Sequence, residues 1–408
     1  MTYLIMKKIF LSSLAVLAMI MTGCSDGEKF SDAVFVTGTL TSENVRFLVE
    51  GQSSMGLTVT SSAKAAEDIQ IEMAAAPELL EAYNAKTGKT YIAPPAEAYS
   101  IADGNVVIKA GTSQSTSMLL ECDGDKLAEG VAYCLPVTIK SVKGGLDVME
   151  TSRTAYVTFT KVIDIKVANL GGRGGFDVPG FWASNNENSP VAALGQMTLE
   201  MKVLPVSFPS STRGDAGISS LCGCEENFLF RFGDGAGQPT NRLQLAKGSI
   251  GNPIHPDAKD HYEAWTDKYF ETGHWLHFAA VYDGSYIRLY LDGEQFFSKE
   301  TKGGTINLSM AYEGHNWSDG FSIGRSVGYK RYFNGYVSEC RVWNVARTAE
   351  QLVNGVCYVD PTSEGLIAYW RFNGEVQDDG TVLDETGHGY NARPFGTVTY
   401  VENQKCPY

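Results

Sequence analysis

Two segments of the chain combine aromatic and polar side chains in a way that suits sugar recognition. An aromatic ring offers an apolar face to the CH groups of a sugar, and polar neighbours can hydrogen-bond its hydroxyls. The first segment, 261–267, contains Trp265, and the second, 312–319, contains Tyr312, His315, Asn316, Trp317 and Asp319. Because functional side chains concentrate on loops above a rigid scaffold, we expect these residues to bind a ligand, with Tyr329 and Tyr332 as extensions. The alternative is that the rings pack down onto the body of the protein.

Paired carboxylates on one strand, the pattern of a retaining glycosidase, are not found. Such a pair lies about 5 Å apart, which strand alternation places at positions i and i+2 or i+4. Neither Glu200 nor Glu339 is followed by an acid two or four residues later, and Asp283 and Asp292 each precede a glycine in a turn. The chain also has no His-Glu-x-x-His or phosphate-loop motif. We therefore expect binding without catalysis, with carboxylates from distant loops as the hydrolase alternative.

The second half of the chain is predicted to consist mainly of β-strands, which would position these loops. Residues 198–205 alternate strictly, and the runs 275–282 and 287–291 each continue into Asp-Gly, which is typical of tight hairpins. Thr348 with Gln351 predicts a helix that begins with a capping box. The strand patterns assign three tryptophans to the core and two histidines to structural roles: Trp275, Trp343, Trp370, His274 and His277.

This succession of strands, continued by 321–324 and 333–344, resembles the laminin-G-like jelly roll of the concanavalin A-like lectin and glucanase superfamily. Residues 366–372 and 384–389 also match the family, but they close the domain here, whereas in many relatives they open it. The resemblance therefore implies a circularly shifted jelly roll over 171–408. Since the termini of such sandwiches often lie close together, this shift is physically easy.

The same resemblance implies a calcium site. In relatives the Asp of the Asp-x-x-Gly-x-Gly segment contributes to it, which corresponds to Asp384, with backbone oxygens near Thr386 and His388. A second acid often comes from the strand after Phe-Asn-Gly, where this chain has Glu339 but Ser338 in place of the usual Asp. The alternative is that Asp384 caps the backbone of its own turn.

Residues 33–160 predict a separate all-β domain. About seven short alternating runs are separated by turn residues, which favours an immunoglobulin-like sandwich, and one helix is expected over 77–85. The motifs at 83–91, 108–111 and 133–137 resemble an uncharacterised N-terminal domain of surface lipoproteins from glycan-foraging Gram-negative bacteria. That resemblance implies a spacer without chemistry, and 161–170 is expected to be a linker.

The N-terminal segment predicts export and lipid attachment. Lys7 and Lys8 precede an apolar run over 9–21 that is too short to span a bilayer comfortably. Residues 21–24 resemble a bacterial lipobox, which implies a signal peptide over 1–23, lipidation of Cys24 and a tether over 24–32. An outer-membrane anchor is then expected, with display at the cell surface. The alternative is an ordinary signal peptide, with Cys24 an unmodified residue.

The net charge of the chain excludes some classes of partner, and its cysteines predict disulfides. Without residues 1–23 the chain has 31 basic and 47 acidic side chains, a net charge of −16, which argues against nucleic acid and anionic membranes as partners. The exported location permits disulfides, and Cys122–Cys134 and Cys357–Cys406 are the plausible pairs. Seven cysteines besides Cys24 leave at least one thiol free.

Taken together, the sequence predicts an all-β protein with an immunoglobulin-like sandwich and a concanavalin A-like jelly roll. The expected function is binding of an extracellular polysaccharide or glycoconjugate as an accessory to polysaccharide capture, alongside other surface glycan-uptake proteins. The alternatives are a protein-binding adhesion module and a divergent glycoside hydrolase, since a fold alone does not fix a function.

Overall fold

The structure is a computed structural model, and the description below covers most of the chain but not all of it. It describes residues 32–225, 227–247, 262–301, 303–309, 320–326, 330–374 and 376–407, with the side chains of 247 and 262–267 excepted. The predicted signal peptide and Cys24 therefore lie outside the described residues. Within the described part, none of the helices combines the length and the apolar character needed to cross a membrane.

The first domain is a sandwich of short strands. Its strands are β1 (Ala33–Val36), β2 (Asn44–Val49), β3 (Gln52–Leu57), β4 (Val59–Ser61), β5 (Ile69–Ala75), β6 (Tyr99–Ile101), β7 (Asn105–Ile108), β8 (Met118–Asp123), β9 (Tyr133–Lys143), β10 (Asp147–Val148) and β11 (Thr154–Lys161). They form sheets in the orders β2-β11-β9-β5-β7, β10-β1-β4 and β3-β8-β6. The alternation of the sequence explains why these segments form strands with one buried face. In β5, Ile69, Ile71 and Met73 are buried, while the residues between them are exposed.

The predicted helix of this domain is present and slightly longer than expected. A 3₁₀ turn over Pro77–Leu79 leads into α1 (Leu80–Thr87), which ends where Gly88 takes a left-handed conformation with φ of 71°. The ring of Tyr83 stacks on Tyr156 of β11 with 3.6 Å between ring centroids, so the helix packs against the five-stranded sheet.

The second domain is formed by two larger sheets. Its strands are β12 (Ile163–Asn169), β13 (Gly174–Asp177), β14 (Met197–Pro205), β15 (Ser219–Cys224), β16 (Phe228–Phe232), β17 (Arg242–Lys247), β18 (Tyr262–Tyr269), β19 (Leu276–Tyr282), β20 (Tyr286–Leu291), β21 (Glu294–Glu300), β22 (Ser322–Ile323), β23 (Gly335–Trp343), β24 (Leu366–Arg371), β25 (Arg393–Gly396) and β26 (Thr399–Cys406). The eight-stranded sheet has the order β21-β20-β19-β14-β23-β12-β26 with β24 beside β23, and the seven-stranded sheet has the order β18-β17-β16-β15-β22-β13-β25. One apolar core of side chains from both sheets lies between them.

The stretch predicted to be a linker is a strand. Residues 161–170 contain β12, which pairs with both β23 and β26, so the second domain begins inside that stretch rather than at residue 171. The reason is visible in the burial of Ile163, Ile165 and Val167, which alternate with more exposed residues. Seven residues of alternation at a domain boundary are easily mistaken for a connector.

The predicted hairpins and the predicted capping box are confirmed. Strands β19, β20 and β21 form an antiparallel meander, and Asp292 and Gly293 both take positive φ, 51° and 82°, at one of its turns. Helix α2 (Ala349–Asn354) begins with Thr348 accepting from the Gln351 backbone, while the Gln351 side chain accepts from the Thr348 backbone.

One of the two plausible disulfides forms and the other does not. Cys357 and Cys406 are bonded, which ties the segment after α2 to the C-terminal strand β26. Cys122 and Cys134 are both free and buried, so the expected Cys122–Cys134 bridge is wrong. They lie close in sequence, but Cys122 belongs to the sheet β3-β8-β6 and Cys134 to the five-stranded sheet.

The two domains contact each other through ion pairs and close packing. Lys89 of the first domain lies 3.2 Å from Glu350 of α2, and Lys405 of β26 lies 2.7 Å from Glu50. At Gly130 an added Cβ would come within 2.6 Å of the Tyr358 ring, so the chain approaches closely here because the residue is glycine.

Candidate functional site

Most of the residues predicted to bind a ligand lie outside the described residues. Those are Tyr312, His315, Asn316, Trp317 and Asp319, together with Tyr329. For Trp265 only the backbone is described, and it lies in β18 directly opposite Gln244 of β17. These assignments therefore stay predictions, but the position of Trp265 directs attention to the seven-stranded sheet.

Strand alternation divides this sheet into a core face and an outer face. In β16, Phe228, Phe230 and Phe232 belong to the core between the sheets, which turns Arg231 to the opposite face. Gln244 of β17 lies directly opposite Arg231 in the register, so the two side chains meet on the outer face. The outer face of the seven-stranded sheet therefore carries polar groups.

A chain of charged side chains continues from these two residues, and we call it the outer-face cluster. Arg231 Nε donates to Gln244 Oε1 over 2.5 Å, and Arg231 Nη1 donates to Glu225 Oε1 over 3.1 Å. Arg331 Nη1 donates to the same Glu225 oxygen over 2.7 Å, and Arg331 Nε donates to Asp215 Oδ1 over 2.9 Å. The cluster thus fixes two guanidinium groups and two carboxylates relative to one another.

The cluster runs from a buried base to an exposed rim. The side chains of Arg231 and Glu225 are 7% and 3% exposed, whereas that of Asp215 is 39% exposed. Hydrogen bonds from Arg331 and Lys330 hold the pKa of Asp215 below its usual value, so this carboxylate is ionised. At the base, Glu225 Oε2 and Gln244 Nε2 have no hydrogen-bond partner among the described residues. Buried polar atoms of this kind are uncommon and are a place where a ligand can bind.

The backbone at Arg331 takes an unusual conformation to reach this position. Its φ is 58°, in the left-handed region that side-chain-bearing residues seldom occupy. Its carbonyl accepts from the Ser220 backbone over 2.8 Å, which fixes the segment beside β15. Local strain of this sort tends to persist at functional positions.

Two aromatic rings lie beside the outer-face cluster, toward the β25 edge of the same sheet. Tyr332 follows Arg331 directly, and its ring is stacked with Phe395 of β25, with 6.4 Å between centroids and 6° between the planes. The Arg325 guanidinium lies 5.3 Å from the Phe395 centroid and also pairs with Asp177. Both rings are half-buried, so they present some surface next to the charged groups. Tyr332 is the one predicted extension residue whose side chain the structure describes.

The residues predicted to hold calcium have other partners. The Asp384 carboxylate accepts from the backbone N–H groups of Tyr369, Thr386 and Tyr390 over 3.0, 3.1 and 3.2 Å, and also from the Thr386 hydroxyl. His388 Nδ1 lies 2.9 Å from the Ile367 carbonyl oxygen. These contacts fit the alternative in which Asp384 caps its own turn.

The fourth predicted calcium ligand lies among cations. Glu339 is buried and pairs with Arg341 of its own strand, and its Oε1 lies 3.8 Å from Arg371 Nε. Among the described residues, no group of three or more His, Cys, Asp or Glu side chains could hold a metal ion. The donor set of the described residues therefore does not fit calcium well.

A second buried cluster lies on the outer face of the eight-stranded sheet, around Glu200 of β14. Glu200 Oε1 accepts from Trp343 Nε1 over 2.6 Å and from Arg347 over 2.5 Å. Glu200 Oε2 lies 3.0 Å from His277 Nε2 and 3.3 Å from Arg341 Nη1. Burial by itself would raise the pKa of Glu200, but the nearby cations outweigh it and hold that pKa far below its usual value. Both oxygens of Glu200 therefore have hydrogen-bond partners within the protein, which indicates a structural role for this carboxylate. The structural role predicted for His277 agrees with this arrangement.

Sequence reasoning missed the outer-face cluster. The alternation Phe-Leu-Phe-Arg-Phe over 228–232 was a usable signal, because a lone arginine among phenylalanines faces away from the core. Glu225 and Arg331 are separated by 106 residues, and their contact has no signature in the sequence.

Comparisons with known proteins agree with this fold. Residues 185–353 match the family model of the concanavalin A-like lectin/glucanases superfamily, and residues 30–146 match a family model for an N-terminal domain. No curated protein matches the chain.

Solved structures are similar over different lengths. A "putative carbohydrate binding protein" from Bacteroides ovatus is 25% identical with a TM-score of 0.51, and the match covers 91% of this chain and 97% of that one. Domain 4 of AbnA, an extracellular arabinanase from Geobacillus stearothermophilus in complex with arabinotriose, is 20% identical with a TM-score of 0.32, covering 46% and 75%. The sialidase CBM40 of Ruminococcus gnavus is 14% identical with a TM-score of 0.32, covering 47% and 96%.

The two sheets, their shared core and the family match therefore lead to one conclusion. The second domain of this chain consists of two packed sheets, and its residues 185–353 match the concanavalin A-like lectin/glucanases superfamily, while a separate all-β domain precedes it.

Proposed function

We propose that this protein binds a polysaccharide or glycoconjugate on the outer face of the seven-stranded sheet. The observation that carries the proposal is the outer-face cluster beside the stacked rings of Tyr332 and Phe395. Fixed guanidinium, carboxylate and amide groups can recognise hydroxyls, and a half-exposed ring offers an apolar face to the sugar. A rigid polar array next to an aromatic surface is the composition expected of a specific small-molecule site.

The relatives support a carbohydrate as the ligand class. The Bacteroides ovatus protein that matches 91% of this chain is described as a "putative carbohydrate binding protein". The matched superfamily contains lectins and glucanases. The acidic charge of the chain, −14 overall, argues against nucleic acid as the partner.

The proposal includes location and the absence of cleavage. The lipobox-like residues 21–24 support a lipid anchor at Cys24, an outer-membrane location and exposure at the cell surface. There the protein would capture polysaccharide for neighbouring glycan-uptake proteins. Because neither Glu200 nor Glu339 has a second acid on its strand, binding is proposed to occur without hydrolysis.

A glycan array with soluble 25–408 tests this function. Saturable binding to one polysaccharide class is expected, and Tyr332→Ala and Arg331→Gln should each weaken it by about tenfold or more. Tyr286→Ala is the matched control, because Tyr286 is a 37% exposed tyrosine on β20 of the other sheet. Its binding should equal that of the unmodified protein.

The other outcomes assign the function elsewhere. Release of reducing ends in the same wells would make the protein a hydrolase. Binding only to proteins, unaffected by competing sugars, would make it an adhesion module. Glycan binding that neither Tyr332→Ala nor Arg331→Gln changes would remove the outer face as the site.

A further inference from the structure

A groove runs between the two domains, away from the seven-stranded sheet. Its cavity has a volume of about 240 Å³ and is lined by Arg46 and Leu48 of β2, Trp275 and Asp292 of the second domain, and Val353 and Val356 in and after α2. A smaller cavity of about 80 Å³ shares Arg46, Val353 and Val356. Ligand sites are common at domain interfaces and combine apolar walls with a few polar groups, and this groove has that composition.

Trp275, which its strand pattern assigned to the core, packs against the buried side chains of Ile163, Ile165 and Val167 and also forms one wall of the groove. Its side chain is half-buried just before β19, and Lys202 Nζ lies 5.7 Å from the ring centroid. Lys202 is itself buried and contacts Cys406 Sγ over 2.6 Å, which holds it in place. The indole is thus supported from beneath while part of it lines the groove, as a ring that receives a ligand requires.

Arg46 is the cation of the groove without an anionic partner. It is exposed, its Nε donates to Thr160 Oγ1 over 3.2 Å, and it makes no ion pair within the part of the chain that the structure describes. Nearby lysines are engaged: Lys161 donates to the Leu127 carbonyl, and Lys405 pairs with Glu50 and Asp164. An unpaired guanidinium is suited to a bidentate anion such as a carboxylate or a sulfate.

Asp292 supplies an acceptor in the same groove. Its Oδ1 accepts from the His277 backbone N–H over 3.0 Å, which fixes the carboxylate at the hairpin turn. A fixed carboxylate can accept from hydroxyls, while it disfavours a second anion beside it. A ligand with its negative charge toward Arg46 and its hydroxyls toward Asp292 matches both ends.

We infer that the interdomain groove binds an acidic sugar residue, with its anionic group on Arg46, its ring against Trp275 and a hydroxyl on Asp292. The shared chemistry is a pyranose that carries a carboxylate or a sulfate. This site is separate from the outer-face cluster and does not depend on it. It also gives the first domain a direct part in binding, because Arg46 and Leu48 come from β2.

The test is a titration of the full soluble chain 25–408 by ligand-observed NMR. The probes are methyl glucuronide and methyl galacturonide for a carboxylate, methyl galactoside 6-sulfate for a sulfate, and neutral methyl glucoside and methyl galactoside. Binding of a charged probe, at least about tenfold tighter than of its neutral counterpart, is expected and identifies the anion. Equal binding of neutral and charged probes, or binding of neither, would overturn the inference.

Variants then locate the site. Arg46→Gln should weaken binding of the charged probe by about tenfold. Arg46→Lys should give a smaller loss of affinity, because lysine keeps the positive charge but not the two parallel donors of the guanidinium group. Lys64→Gln is the matched control, since Lys64 is an exposed cation on the same domain and should have no effect. Tyr332→Ala should also leave this binding unchanged, which separates it from the outer face. Unchanged binding in Arg46→Gln would refute the assignment.

Discussion

The two buried clusters of the second domain each centre on a glutamate, and they differ in how completely that carboxylate is paired. Glu200, on the eight-stranded sheet, has partners on both oxygens from Trp343, Arg347, His277 and Arg341. Glu225, on the seven-stranded sheet, receives both arginines on one oxygen and leaves the other without a partner among the described residues. The comparison teaches that a buried carboxylate indicates function through what its partners leave unused, and not through burial alone.

The largest effect expected is on stability, at Glu200, whose two carboxylate oxygens both have partners. Glu200→Gln leaves Arg347 buried without its carboxylate and leaves Arg341 with Glu339 as its remaining carboxylate, which should cost about 3–5 kcal/mol of the free energy of unfolding. Urea denaturation measures it. Glu225→Gln is the matched variant and should cost only about 1–2 kcal/mol, because Arg331 keeps Asp215 and Arg231 keeps Gln244. Equal losses in the two variants would break the comparison.

The pH dependence sharpens the same contrast. Nearby arginines hold the folded-state pKa of Glu200 below its unfolded value of 4.5, so its contribution is complete above pH 4.5 and is lost as the pH falls. The difference in unfolding free energy between the unmodified protein and Glu200→Gln should therefore shrink below pH 4.5. Denaturation curves at stepwise pH measure this, and a difference that grows on acidification contradicts it.

At the partly paired cluster the expected effect is on binding. Glu225→Gln should weaken binding of the glycan identified on the array by roughly tenfold, about 1.4 kcal/mol, because the variant loses the anionic end of the array. Isothermal titration is the measurement. The matched Glu200→Gln, assayed on its folded fraction, should keep its affinity, and loss in both would mean that binding reports only on folding.

A smaller effect is expected at Lys202, which lies on β14 two residues from Glu200. Burial lowers the pKa of its ammonium to about 7, so between pH 7 and 10.5 the unfolded chain binds more protons and stability rises with pH. Lys202→Met removes this slope and should be about 1 kcal/mol more stable near pH 6. Thermal unfolding at pH 6 and pH 9 checks it, and a large destabilisation at pH 6 would assign Lys202 a net stabilising role.

The smallest effect is expected for calcium. Because the Asp384 carboxylate already accepts from three backbone N–H groups, we expect the Tm to be the same in calcium and in chelator. Differential scanning calorimetry decides it. A clear rise of Tm with calcium would restore the metal site that the family resemblance implies.

Patterns of burial along single strands predicted most of the fold. The strand β5 could be predicted because it buries one face and exposes the other. Strand β14 could be predicted because its apolar residues alternate with Thr198, Glu200 and Lys202, although both of its faces are buried, and the β19–β21 meander could be predicted from its Asp-Gly turns. The disulfide Cys357–Cys406 was also anticipated. Which elements meet is not encoded in the pattern of a single strand. The sequence of β12 resembles a linker, and Cys122 and Cys134 are close in sequence but lie in different sheets.

The candidate site was less predictable because its contacts cross the sheet. Arg231 belongs to a legible strand, but its bond to Glu225 and the bond of that carboxylate to Arg331 depend on a loop more than 100 residues away. Trp265 was named for its loop composition, and the structure places its backbone within strand β18 on the same sheet, opposite Gln244. Composition could thus suggest a ligand class, while geometry selected the residues.

The strand that was mistaken for a linker has a mechanical consequence. β12 is the first element of the second domain, and it is hydrogen-bonded to β23 on one side and to β26 on the other. The disulfide to Cys357 anchors the end of β26. When the chain is held at its N-terminal end and a long polymer drags on the second domain, the tension enters along β12. Many hydrogen bonds then carry the load in parallel, so the junction should resist shear far better than a flexible hinge.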